Sequence, residues 1–175
     1  SWMDAATDLA ETSYSNAGTR VSFNIGNYYA GAAASELSDT WELYYRGIRK
    51  CNMLLDTIDV VPKSIDLSDE KYETDKLNYK SESRFLRAYF YWEMFLRYGP
   101  VPIITKVLDP NGDLFTGYET RPSIKEYVVD FILPELQECE KGLMDYETGK
   151  KSQNAGRISQ PMARALYSRI MLYMA

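Results

Sequence analysis

The stretch FYWEMFLRYGPVPIIT, Phe90 to Thr105, joins an aromatic run with helical spacing to a Gly-Pro-Val-Pro sequence that no helix can continue through. Phe85, Leu86, Tyr89, Trp92, Phe95 and Leu96 recur at steps of three and four residues, which predicts a helix over about 72–98 with an apolar face wide enough to be covered on more than one side. Gly99 supplies the residue that tolerates positive φ after a last turn, and Pro100 and Pro102 remove donors and forbid continuation. The stretch is therefore a hard helix stop followed by a short apolar tail.

The same period extends outward on both sides. Trp41, Tyr44, Tyr45, Ile48, Cys51, Asn52, Leu55 and Ile58 form one stripe and predict a helix over 41–58, with Pro62 closing the linker after it. Ser123 and Glu126 have the spacing of a capping box and predict a helix over 123–145 through Ile124, Val128, Ile132, Leu136, Cys139 and Leu143, kinked at Pro134. Ser159 is the expected N-cap of a helix over 159–175, with Pro161 tolerated in its first turn and Met162, Leu166, Ile170 and Tyr173 as its stripe. The expected fold class is all-α, with helices in antiparallel pairs and long irregular loops at 12–40 and 99–122. Loops of that length in a helical protein are where function is sought. The fourth stripe still runs at Ala175, so the chain is expected to be a fragment with an apolar surface at that end.

Composition narrows the function. In 175 residues, 20 Lys and Arg stand against 25 Asp and Glu, so the basic surface needed to neutralise phosphates is missing and no nucleic-acid partner is expected. There is no histidine, which removes Ser-His-Asp and Cys-His nucleophiles, imidazole metal sites and a general base poised near neutral pH. No glycine-rich phosphate loop and no metal spacing occurs, so neither cofactor nor metal is expected. DPNGD at 109–113 has the start of a calcium loop, but Leu114 stands where the turn glycine belongs and the bidentate Glu is missing. Asp4, Asp8 and Glu11 share a helical face, read as a solvated one rather than half of a glycosidase acid pair. Cys51 and Cys139 fall on apolar faces and are read as buried free thiols. Arg87 and Arg157 are expected to pair with carboxylates or helix ends, and Asn52 to need a buried hydrogen-bond partner.

Four blocks in order resemble the SusD/RagB family: WELYYRGIRKCNMLLDTI from Trp41, SESRFLRAYFYWEMFLRYGPVPIIT from Ser81, TRPSIKEYVVDFILPELQECEKGL from Thr120 and GRISQPMARALYSRIMLYMA from Gly156. The segment ATDLAE at 6–11 is similar to a further family element. The resemblance implies a SusD-like outer-membrane nutrient-binding lipoprotein, of which residues 1–175 are the N-terminal helical portion of a larger fold, with the lipid-anchor segment and a later C-terminal portion outside it. It implies tetratricopeptide-like helix pairs, although the unequal loops show no 34-residue repeat. It also implies non-catalytic capture of an oligosaccharide at the cell surface, and a SusC-like TonB-dependent outer-membrane transporter as partner. Contact with the membrane would come only through a lipid anchor upstream. Capture of a peptide by a RagB-like protein is the alternative, and a tetratricopeptide-like protein-protein scaffold a second. Family ligand contacts share no motif, so the candidates come from chemistry: a sugar stacks its C–H face on an aromatic while amides meet its hydroxyls. Phe23, Asn24, Asn27, Tyr28 and Tyr29 offer both groups in one loop.

Overall fold

The computed structural model describes residues 24–26 and 34–175, which divide into one unit within 1–43 and a second spanning 44–175. The architecture is all-α, as expected. Helix α1 spans Ala34–Thr57 and tightens into a 3₁₀ turn at Ile58–Val60. Helix α2 spans Asp69–Tyr98. A π-helical segment, Lys125–Ile132, runs directly into α3, Leu133–Glu140. A single turn, α4 (Tyr146–Gly149), and a 3₁₀ turn at Ser152–Asn154 precede α5, Gln160–Met174.

The helix starts follow local chemistry. Ser68 caps α2 three residues earlier than the apolar period suggests, its hydroxyl accepting from the Lys71 N–H at 3.3 Å, with Asp69 and Glu70 in the first turn where the dipole favours acid. The capping box at Ser123 forms in full: the Ser123 N–H donates to Glu126 Oε2 at 2.8 Å, and the Glu126 N–H donates to Ser123 Oγ at 3.2 Å. Ser159 begins α5 through its backbone alone, its carbonyl accepting from Met162 at 3.0 Å, and its hydroxyl makes no cap bond.

The kink expected at Pro134 is instead a change of pitch. The Leu133 N–H reaches back to the Val128 carbonyl, a five-residue step. The next residue, Pro134, has no N–H, so the ladder passes from the wide to the ordinary step where no donor has to be reassigned. The helix predicted to run to 145 ends at Glu140, because Gly142 and the turn after it pack against α2. A methyl group on Gly142 would lie 2.3 Å from Ser81 Oγ.

One core holds the second unit together. Helix α2 buries Phe85, Ala88, Tyr91, Trp92 and Met94 against the π segment, α3 and α5. Its rings meet those of α1, the π segment and α5: Phe90 with Tyr44 at 5.6 Å, Tyr91 with Tyr127 at 5.8 Å edge-on, and Trp92 with Tyr173 at 5.3 Å edge-on. The wide aromatic face of the opening stretch is thus covered from three sides. On α5, Leu166 and Ile170 are buried, while Met162 and Tyr173 of the same stripe are exposed. The exposed apolar residues of this helix are Met162, Met171, Leu172, Tyr173 and Met174, with Leu172 at 80%. Cys51 and Cys139 are free and buried, and burial pushes their thiols up to about 11 and about 12.

A buried polar cluster crosses three helices. Arg87, 6% exposed, donates to Glu135 Oε2 of α3 through Nε at 3.1 Å and Nη2 at 2.6 Å, and to Asn52 Oδ1 of α1 through Nη1 at 2.8 Å. Arg84 reaches the other Glu135 oxygen at 2.9 Å. Arg157 pairs with Glu82 at 2.9 Å and lies over the Tyr79 ring. Both arginines therefore take the carboxylate partners expected of them.

Candidate functional site

The apolar tail after α2 is an extended segment fastened by side chains rather than by a sheet. Among the described residues there is no strand, only an isolated bridge between Met144 and Ser159. Gly99 takes φ 69° and returns its N–H to the Phe95 carbonyl at 2.9 Å. From there every second carbonyl has a side-chain donor. Arg121 Nη1 takes the Tyr98 carbonyl at 2.5 Å and the Pro100 carbonyl at 3.1 Å. Tyr45 takes Pro102 at 2.8 Å, and Asn52 takes Ile104 at 2.9 Å and Lys106 at 3.2 Å. Arg49 takes Leu108 at 2.9 Å. The Tyr91 hydroxyl accepts from the Ile104 N–H at 2.7 Å while donating to the Ile104 carbonyl at 3.1 Å. Alternation with a period of two is the mark of extended backbone, so the segment is straight and fixed in register along α1 and α2.

The connection from 109 to 122 is built of local turns. Asp109 Oδ1 accepts from the Asn111 N–H at 2.9 Å, and Asp113 Oδ1 accepts from the N–H groups of Phe115 at 2.8 Å and Thr116 at 3.1 Å. The Thr116 hydroxyl also donates to Asp113, and these bonds hold that carboxyl down at about 2. Gly117, at φ 88°, donates to Glu119 Oε2 at 2.8 Å. Both aspartates of DPNGD thus serve as turn acceptors. Among the described residues, no group of three or more Cys, Asp or Glu could hold a metal ion. Phe115 is left 77% exposed at the tip.

Where this loop returns to the extended segment, it encloses a cleft of about 400 Å³ lined by Pro102, Ile103, Thr120, Arg121, Pro122 and Glu126. Two of its charged groups are held in place. Arg121 is clamped by two carbonyls through one nitrogen, and Glu126 by the Ser123 N–H at 2.8 Å and hydroxyl at 2.7 Å, both on Oε2. Those two bonds, the backbone one foremost, hold the Glu126 carboxyl below its usual range and keep it ionised. A second cavity, about 270 Å³ between Ile58–Leu67 and α2, is mostly apolar. Its Tyr72 and Tyr79 rings already carry Lys76 and Arg157 over their faces.

Of the residues singled out from sequence, Asn24 is described, exposed at the head of the turn 24–26, while Phe23, Asn27, Tyr28 and Tyr29 lie outside the described residues. Asp4, Asp8 and Glu11 lie outside them too. The cleft residues went unnoticed from sequence. Loop length pointed to 99–122 and the capping box to Glu126, but nothing in the sequence says that Arg121 turns back to the end of α2.

A family model described as SusD-like, starch-binding and associating with the outer membrane, matches residues 4–172. A SusD-like protein from Formosa agariphila is 30% identical over 112 residues, covering 60% of this chain and 19% of its own length. A solved SusD-like protein from Bacteroides fragilis is 33% identical with a TM-score of 0.69, over 89% of this chain and 27% of that one. A solved laminarin-binding SusD-like protein is 23% identical with a TM-score of 0.75, over 99% of this chain and 34% of that one. The chain thus spans about a fifth of the curated relative and about a third or less of these two solved proteins.

Proposed function

This chain belongs to the SusD-like family, and from that premise we propose that the protein captures oligosaccharides at the outer-membrane surface without chemical turnover. The observation that carries the reading is the family match over nearly the whole chain, residues 4–172. The protein is tethered by a lipid anchor upstream of these residues and hands its ligand to a SusC-like TonB-dependent transporter. Helices α1, α2, α3 and α5 act as scaffold, because their buried apolar faces pack on one another.

A binding rather than hydrolytic role agrees with the state of the interior acids. Glu135 is shared by Arg84 and Arg87, and Glu82 is taken by Arg157. Both carboxylates are engaged in ion pairs within the helical scaffold rather than set as a facing acid pair. Among the described residues, no helix is long and apolar enough to cross a membrane.

The ligand contacts are assigned to Phe23, Asn24, Asn27, Tyr28 and Tyr29, which join aromatic rings to amides within one short stretch of sequence. The test is calorimetry of the full-length protein against glycan and peptide panels, with Y28A/Y29A as control. The double variant should weaken glycan binding by about 1–3 kcal/mol in total, the worth of two stacked rings. Unchanged affinity removes this loop from the site, binding of peptides alone overturns the glycan reading, and turnover of any substrate overturns the non-catalytic one.

A further inference from the structure

We infer that the cleft between the extended segment and the returning loop is a sugar-binding subsite in its own right, in addition to the contacts proposed at 23–29. It takes one pyranose ring of a glucan-type oligosaccharide, an inference that rests on the glycan-capture reading above. Two fixed charges line the cleft, Arg121 and Glu126. Arg121 Nη1 is used by the Tyr98 and Pro100 carbonyls, and among the described residues its Nε and Nη2 meet no protein acceptor. Glu126 spends Oε2 on Ser123, and its Oε1 has no donor among the described residues. No salt bridge joins Arg121 to Glu126, and both line the open cleft.

That combination suits a vicinal diol. One hydroxyl accepts from a guanidinium N–H, its neighbour donates to a carboxylate oxygen, and neither protein group has to be ordered at the moment of binding. The opposite charges of Arg121 and Glu126 offset each other, which favours a neutral polyol over an anion. Pro102, Ile103 and Pro122 supply apolar wall for the C–H face of a ring, and the Thr120 side chain adds a hydroxyl. A volume of about 400 Å³ admits a pyranose with room for the neighbouring unit to leave through the open side. Phe115 stands two residues from the wall at Gly117, 77% exposed, where a following sugar unit can stack.

The experiment titrates the full-length protein with maltoheptaose and, separately, laminarihexaose. It uses calorimetry and the backbone amide signals of Gly117 and Thr120 as local reporters. Three proteins are compared: the natural one, E126Q, which removes the anionic acceptor, and T120W, which fills the cleft and leaves both charged groups in place. The inference expects the two amide signals to move on titration, E126Q to weaken the cleft-associated binding about tenfold, the worth of one hydrogen bond to a charged group, and T120W to abolish the amide shifts. If a sugar binds with the two amides unmoved and with equal affinity in all three proteins, the cleft is not a subsite and the capture reading stands. If neither sugar binds at all, the inference falls together with glucan capture.

Discussion

Removing Asn52 tests whether the buried polar cluster holds the helices and the extended segment together. Its side chain is 2% exposed and makes three bonds: Nδ2 to the Ile104 and Lys106 carbonyls, and Oδ1 from Arg87 Nη1. In N52A these losses are unequal. The Ile104 carbonyl keeps Tyr91 as a donor, and the exposed Lys106 carbonyl can turn to water, so together they cost about 1 kcal/mol. The Arg87 bond is the larger loss. A charged donor with 6% exposure is left with one nitrogen unpartnered, which costs about 1.5–3 kcal/mol. The sum is about 2.5–4 kcal/mol, to which the small cavity adds. Urea unfolding followed by tryptophan fluorescence should show the midpoint falling with the slope unchanged. A loss under about 1 kcal/mol would refute the reasoning, because it would mean that Arg87 finds another acceptor at no cost.

Further outcomes follow from the same geometry. E135Q should destabilise by about 3–5 kcal/mol in the same assay, since it leaves Arg87 buried beside a neutral group and strips Arg84 of its partner. G47A should cost about 1–3 kcal/mol in thermal unfolding, because a methyl there would lie 2.6 Å from Phe90 Cε2 in a ring already packed on Tyr44 and Tyr89. The thiols give a pH dependence: both are raised by burial from the ordinary 9.0, Cys51 to about 11 and Cys139 to about 12, so above pH 9 the unfolded chain loses protons that the folded one keeps. Stability from these groups is intact below pH 9 and declines as pH rises toward 11 and 12, which urea midpoints measured across that range should show. At pH 8 in native buffer, labelling of Cys51 and Cys139 by iodoacetamide, followed by mass spectrometry, should be far slower than in urea.

The helices were legible because their signals are local. Periods of three and four residues fixed α2, α5 and the end of α1 to within about three residues, whereas α1 begins at Ala34 rather than Trp41, inside the stretch expected to be loop; the capping box and Gly99 fixed two boundaries through chemistry contained in four or five residues. Three features escaped for one reason. Ser68 lies before the apolar period begins, the π segment is set by where Pro134 interrupts a ladder, and the end of the third helix at Glu140 is forced by close packing of Gly142 on Ser81 and Leu77. The cleft was the least legible part. Its Arg121 acts on carbonyls more than 20 residues earlier, and Tyr45 and Asn52 act on a segment more than 50 residues later. Sequence spacing carries no trace of such pairings. The length of 99–122 marks it as a functional loop, but nothing local in it singles out Thr120, Arg121 and Glu126 as a group.

The fastening of residues 98–108 sets a parity rule on the length of the chain there. Only even-numbered carbonyls face their donors, so inserting or deleting a single residue just after Gly99 would turn every later acceptor away from Tyr45, Asn52, Tyr91 and Arg49 at once. A change of two residues would bring the same face back, displaced by about 7 Å along the helices. Natural variants of this segment should therefore differ in length by even steps, and an engineered one-residue insertion should be more harmful than a two-residue one at the same place.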